Sequence, residues 1–171
     1  MKKMALSPVI TQTIVTFLHN LFTAMWIGGM LTLLFTVMPA MKKTLGKSKE
    51  SHALNTQIKK TLSILTYVSI VGLILTGLMM GHKAQLAGDY TGFFSFANEY
   101  STLLSIKHIL YILMVGLAIF RSQILDRLKK PTHEVKMKLS IITLILNVIA
   151  GLAVLLLSAN IAVLAAMPAM P

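Results

Sequence analysis

The chain has 171 residues, of which 56% are hydrophobic and only 12% are charged. A soluble domain of this size carries about 25% charged residues, so the composition excludes an ordinary soluble fold. There is no cysteine, which excludes disulfides, thiolate metal ligands and thiol redox chemistry. The formal net charge of +11 would suit nucleic acid, but its distribution along the chain indicates membrane topology instead.

Four long apolar stretches follow one another along the chain, at residues 9–38, 62–80, 103–120 and 139–166. Each is close to or above the roughly 20 residues that a helix needs to cross about 30 Å of hydrocarbon. Pro39 and Gly81 follow the first two stretches, where a proline or a glycine commonly ends a helix. We therefore predict an all-α fold, with residues 1–171 forming a single transmembrane domain built as an integral membrane four-helix bundle.

The basic residues are concentrated in two segments, with six in residues 42–60 and six in residues 121–138. Lysine and arginine are enriched in the cytoplasmic loops of membrane proteins. We therefore predict that both segments face the cytoplasm and that both termini lie on the outer, non-cytoplasmic side. The two basic segments then lie beside the lipid bilayer, and we expect no nucleic-acid partner.

Three histidines fall near the predicted outer end of the bundle. His19 lies about ten residues into the first stretch, His108 about six residues into the third, and His82 just after the second. At 1.5 Å per residue, the first two lie roughly 8–15 Å below the outer boundary and the last lies near it. Ionisable side chains in a bilayer usually mark function, and imidazoles at one level can hold a metal ion or a haem iron.

Other side chains on the same helices extend this predicted site. Met79 precedes His82 by one turn, and thioether sulfur together with imidazole suits copper. On the first and third helices, Trp26 and Tyr111 share the faces that carry the histidines. If the ligand is haem, we expect both rings to pack beside the porphyrin.

The first stretch contains a histidine followed seven residues later by Trp-Ile-Gly-Gly, as His19 and then Trp26-Ile27-Gly28-Gly29. We expect the two glycines to allow close helix packing. This pattern, followed by an outer loop and a third helix with a lysine near its start, resembles the copper-resistance D family of four-helix membrane domains.

The resemblance implies a multi-pass protein of a prokaryotic cell (inner) membrane. It also implies a role in copper uptake or tolerance, alongside a periplasmic copper-binding partner. Beyond the first stretch, the resemblance extends to Lys107. His82 and His108 are not part of the resemblance and are assigned to the site only from the predicted topology. Two features depart from the family, because its members often have more than four spans and no soluble copper-binding domain is fused here.

Three functions remain open from the sequence. In the first, His82 and Met79 capture a copper ion, which His19 and His108 hold deeper in the bundle. In the second, His19 and His108 bind haem b as its two axial ligands in a b-type cytochrome. In the third, the chain is an accessory subunit without chemistry. Copper leads because of the family resemblance. We expect no enzymatic activity, since all five acidic residues lie outside the predicted spans. A homo-oligomer is left open.

Overall fold

The computed structural model describes residues 7–46, 48–86, 91–92, 94–127 and 132–166. Within these ranges the secondary structure is helical, with no β-strand, and four helices are long and apolar enough to cross a membrane. They are α1 (Pro8–Thr44), α2 (Lys49–Leu86), α3 (Glu99–Ile124, continued by Leu125–Arg127) and α4 (His133–Ala166). The prediction of an all-α, four-helix architecture is confirmed.

The prediction that Pro39 ends the first helix is wrong, because α1 continues through it to Thr44. Proline has no N–H, and its ring crowds the carbonyl four residues earlier in a regular α-helix. Here residues Leu33–Val37 form a π-helical turn, in which the N–H of Met38 donates to the carbonyl oxygen of Leu33. The wider turn accommodates the proline, and the helix continues beyond the apolar stretch.

The second helix likewise passes the glycine at which it was expected to end. α2 continues from Gly81 to Leu86. A glycine inside a helix costs only about 1 kcal/mol relative to alanine, so by itself it does not force the helix to end. The helix therefore extends past the apolar stretch, which makes the helices longer than the hydrophobic pattern alone indicated.

Neighbouring helices run in opposite directions. On α1 and α2, a Cβ added to Gly29 would meet Leu62 and Leu65, whereas one added to Gly77 would meet the ring of His19. Positions early in α1 therefore lie beside positions late in α2. α1 packs mainly against α2, and α3 packs mainly against α4. The fold is thus two antiparallel helix pairs laid side by side.

This alternation gives the bundle two distinct ends. The first residue of α1, the last residues of α2 and α4 and the start of α3 lie at one of them. We call it the histidine end, because His19, His82 and His108 each lie in the half of their helix nearer to it. We call the opposite end the basic end, because the lysine- and arginine-rich connections lie there.

The interior of the bundle is partly polar and its surface is largely apolar. Ser69, Thr76 and Asn147 are buried, whereas Val71, Ile112 and Leu156 are each more than half exposed. Helices in lipid pack through small and polar residues and turn apolar residues outward. The distribution is the one expected of a multi-pass membrane protein.

The two glycines of the first helix have different surroundings. A Cβ on Gly29 would lie 3.5 Å from the Leu62 side chain, so this glycine lies at the contact between α1 and α2. No atom lies within 4 Å of a Cβ built on Gly28, which instead lines an open groove of about 380 Å³ beside Leu155 of α4. Within one chain, Gly29 therefore lies at a contact between helices and Gly28 does not.

Candidate functional site

His19 is held by a hydrogen bond from the second helix. Its Nδ1 lies 2.9 Å from the Oγ1 of Thr76, and the same hydroxyl donates to the carbonyl oxygen of Gly72 at 2.7 Å. Because the hydroxyl has one proton and the carbonyl can only accept it, the hydroxyl must accept from the imidazole. Nδ1 of His19 then carries the ring proton, and the lone pair of the neutral ring lies on Nε2.

His108 is held in the same way by its own helix. Its Nδ1 lies 2.7 Å from the carbonyl oxygen of Leu104. A carbonyl oxygen only accepts, so Nδ1 is again the donor and the lone pair of the neutral ring is again on Nε2. A hydrogen bond from one ring nitrogen to a backbone or side-chain oxygen is the usual way in which proteins fix a metal-binding imidazole.

An aromatic pair connects the helices below the two histidines. Trp26 and Tyr111 meet edge to face, with ring centroids 5.7 Å apart and an interplanar angle of 82°. The hydroxyl of Tyr111 also donates to the carbonyl oxygen of Ile70 at 2.9 Å, so three helices meet at this level. From this pair, His19 lies about 10 Å and His108 about 5 Å toward the histidine end.

A single lysine acts on both imidazoles. Lys107 is half-buried on α3, and its ammonium group interacts electrostatically with His19 and with His108. No carboxylate among the described side chains pairs with it. Both histidines therefore lie within the electrostatic influence of one cationic side chain.

The segment before α3 folds back onto the face that carries His108. Ser101 and Ser105 are fully buried. The hydroxyl of Ser105 donates to the carbonyl oxygen of Ser95 at 2.8 Å, and the N–H of Thr91 donates to Ser101 Oγ at 3.3 Å. At helical spacing, these two serines and His108 share one face of α3. The segment thus covers the α3 surface just above His108.

His82 and Met79 occupy a different place from the two deeper histidines. His82 is exposed, and the Met79 side chain is 53% exposed on the outside of α2. They are three residues apart and so neighbours on the surface of this helix. Across the described residues, no three His, Asp or Glu side chains form a cluster able to hold a metal ion. The structure therefore does not bring all three histidines into one cluster.

Two of the contacts that build the site were missed by the sequence reasoning. Thr76 gives only a weak signal, because it is one of several hydroxyl residues spread along α2. The serines at 101 and 105 give a clearer one, because their spacing of four places two small polar residues on the face of His108. That spacing indicates a face covered by protein rather than by lipid.

Comparisons with known proteins give no further guide to the site. No family model, no curated protein and no solved structure matches this chain.

The hydroxyl of Tyr111 offers a first test of the packing below the histidines. Replacing Tyr111 with phenylalanine removes the hydrogen bond to Ile70 but keeps the ring against Trp26. We expect a loss of about 1 kcal/mol in stability, as is usual for one hydrogen bond. Thermal unfolding in detergent measures it, and Tyr111→Ala, which also removes the aromatic contact, should cost clearly more. Equal losses in the two variants would show that the aromatic contact contributes nothing.

Proposed function

We propose that this protein handles copper and binds the ion through Nε2 of His19 and Nε2 of His108. The observation that supports this most directly is that both imidazoles are held through Nδ1, by Thr76 and by the carbonyl oxygen of Leu104. In the neutral ring this leaves the Nε2 lone pair as the coordinating atom. The depth of both residues in the bundle also favours function, because a buried imidazole is costly in lipid.

Two arguments favour copper, and Cu(I) in particular. The His19 to Gly29 pattern resembles that of a copper-resistance family, and imidazole is a good copper ligand. The ammonium group of Lys107 repels cations, but the Coulomb energy is half as large for a monovalent ion as for a divalent one. The charge of Lys107 therefore opposes Cu(I) less than it opposes Cu(II).

The exposed residues of α2 give the ion a point of entry. Met79 and His82 lie at the histidine end, and thioether with imidazole is a soft ligand pair that suits copper. In this proposal they capture copper at the membrane surface and pass it to the deeper histidines. The histidine end and both termini face the outside of a prokaryotic cell membrane, and a periplasmic copper-binding protein delivers the ion.

Haem b is the second candidate, and Lys107 is the observation that favours it. A haem carries two propionates, and an ammonium group without a described carboxylate partner would pair with one of them. His19 and His108 would hold the haem iron through their imidazoles, and Trp26 and Tyr111 would pack beside the haem. When bound, the haem would supply one-electron transfer. The protein's part would be to hold the iron through two imidazoles whose orientation is fixed.

A visible absorption spectrum of the detergent-purified protein separates the two candidates. The protein is expressed with adequate haem and copper, and spectra are recorded before and after dithionite. For a copper protein we expect no Soret band, together with about one bound Cu(I) per chain by metal analysis. A Soret band with α and β bands that sharpen on reduction would overturn copper in favour of haem b. The absence of both ligands would leave an accessory subunit without chemistry.

The hydroxyl that orients His19 provides a sharper prediction. Replacing Thr76 with valine keeps the shape of the side chain but removes the hydrogen bond to Nδ1. Loss of such an outer partner typically weakens metal binding by 10–100-fold, and we expect a loss within this range. Competition with a Cu(I) chelator measures it, and Thr66→Val on the same helix is the matched control. Unchanged affinity in Thr76→Val would show that His19 does not bind the ion through an oriented ring.

A further inference from the structure

A second polar site lies between the helices in the basic half of the bundle. It is a cavity of about 30 Å³, lined on α1 and α2 by Trp26, Leu33 and Tyr67 and on α3 and α4 by Arg121, Ser122 and Asn147. This volume exceeds the roughly 10–15 Å³ needed for one water molecule. It is therefore large enough for a small ion together with one water molecule.

Two buried polar atoms of the cavity residues have no hydrogen-bond partner. They are Nε1 of Trp26 and Oδ1 of Asn147, and the two side chains are only 2% and 4% exposed. The amide nitrogen of Asn147 donates to the carbonyl oxygen of Met114 at 3.2 Å, which fixes the amide and leaves its oxygen as an acceptor. Buried polar atoms nearly always have a partner, so the two atoms indicate a polar ligand in the cavity.

The charge of the cavity indicates the sign of that ligand. Arg121 lines it and is half-buried, and no carboxylate among the described side chains pairs with its guanidinium group. The described acidic side chains, Glu50, Glu99 and Glu134, are all exposed. A charge removed from water requires a compensating charge, and the described side chains supply none. Arg121 and the indole N–H of Trp26 both offer donors, and a donor site with positive charge suits an anion.

The backbone at the cavity is irregular at two places. Arg121 and Ser122 belong to a π-helical turn, Phe120–Ile124, and Leu33 begins the π-helical turn of α1. Such turns are rare and are found frequently at functional sites. On α3 the turn also places Ser122 Oγ 2.6 Å from the hydroxyl of Tyr67. Both helices thus depart from regular geometry where they line the same cavity.

We propose that this cavity binds a small monovalent anion of the size of formate or chloride. The guanidinium group of Arg121 and the indole N–H of Trp26 donate to the anion, and a water molecule bridges it to Oδ1 of Asn147. The site is separate from the histidines, since it lies on the basic side of the Trp26–Tyr111 pair. The proposed anion site therefore does not depend on whether the histidines bind copper, haem or no ligand.

The only tryptophan of the chain reports on this site. Trp26 fluorescence of the detergent-purified protein is titrated with sodium formate. Sodium gluconate at equal ionic strength is the control, because it is a carboxylate too large for the cavity. We expect a saturable change in emission with formate and none with gluconate. In Arg121→Gln we expect formate to bind at least tenfold more weakly, while Arg127→Gln, an exposed arginine on the same helix, should behave as the wild type.

A second variant keeps the test valid if Arg121→Gln does not fold. Asn147→Asp places a carboxylate beside the arginine, so it should abolish the formate response and leave the helical circular dichroism unchanged. A response that persists in Asn147→Asp or in Arg121→Gln would overturn the proposal, as would an equal response to gluconate. A change seen only in nanodiscs with phosphatidylglycerol, and not with formate, would also overturn it and would identify a lipid phosphate as the partner of Arg121.

Discussion

Replacing His19 with alanine is expected to weaken Cu(I) binding by more than 100-fold. The change removes one of two proposed ligands, so the loss should exceed the 10–100-fold that follows from removing an outer hydrogen-bond partner such as Thr76. His108→Ala should have an effect of similar size. Because each ion needs both imidazoles, the double variant should bind Cu(I) only slightly more weakly than either single variant. Competition with a Cu(I) chelator measures all three.

The matched control for these variants is His52→Ala. His52 lies on α2 roughly 35 Å along the helix from Thr76, at the basic end. His52→Ala also replaces a histidine with alanine, and it should leave copper affinity unchanged. If His52→Ala lost as much affinity as His19→Ala, the copper would be bound by scattered histidines rather than at the proposed site. If the protein binds haem instead, His19→Ala and His108→Ala should both lose the Soret band, and His52→Ala should keep it.

The second large effect is expected at Gly72 of α2, where the ring of Phe22 on α1 packs against the helix backbone. A Cβ added there would overlap the ring of Phe22 on α1, so the ring or the helix must shift. Forcing extra atoms into a packed contact costs about 1–3 kcal/mol, and we expect Gly72→Ala to lower the free energy of unfolding by that amount. The helix pair that holds His19 against Thr76 should loosen at the same time, so copper affinity should fall as well.

Gly116→Ala is the same substitution on α3, and there we expect no loss of stability. No atom lies within 4 Å of a Cβ built on Gly116 in α3. There the change should be neutral or stabilise by up to about 1 kcal/mol, because alanine favours a helix more than glycine does. Thermal unfolding in one detergent compares the two variants. Combining Phe22→Ala with Gly72→Ala should recover part of the stability, and a failure to recover it would show that the ring is not what opposes the Cβ.

The sequence predicted the helices well and their ends poorly, for one physical reason. Apolar length determines whether a segment can cross a membrane, and all four segments passed that test. Helix ends depend on backbone hydrogen bonds instead. Before Pro39 a π-helical turn accommodates the proline, and at Gly81 nothing forces the helix to end. Hydropathy reports neither effect.

The candidate site was predictable in depth but not in orientation. Counting residues along each helix placed His19 and His108 in the same half of the bundle, as the structure does. The partners of these histidines depend on how the helices are rotated about their axes, and counting residues along a helix does not report that rotation. Thr76 faces His19 because Gly77 and Gly72 allow α1 to approach α2. Met79, one turn away, faces outward on the same helix.

The polar cavity beneath Trp26 was not predictable from the sequence at all. Its residues come from all four helices, and no sequence motif connects the residues of one helix with those of another. Arg121 belongs to a basic segment whose charge alone indicated topology. Only the packed structure shows that this arginine lies beside a buried tryptophan and a buried asparagine.

The most direct test of the proposed metal centre is the X-ray absorption spectrum of the protein loaded with one equivalent of Cu(I). The proposal predicts a low-coordinate Cu(I) ion with the multiple-scattering signature of imidazole, and loss of that signature in His19→Ala and in His108→Ala. Sulfur scattering without imidazole would place the ion on the methionines instead, and would contradict a copper site between His19 and His108.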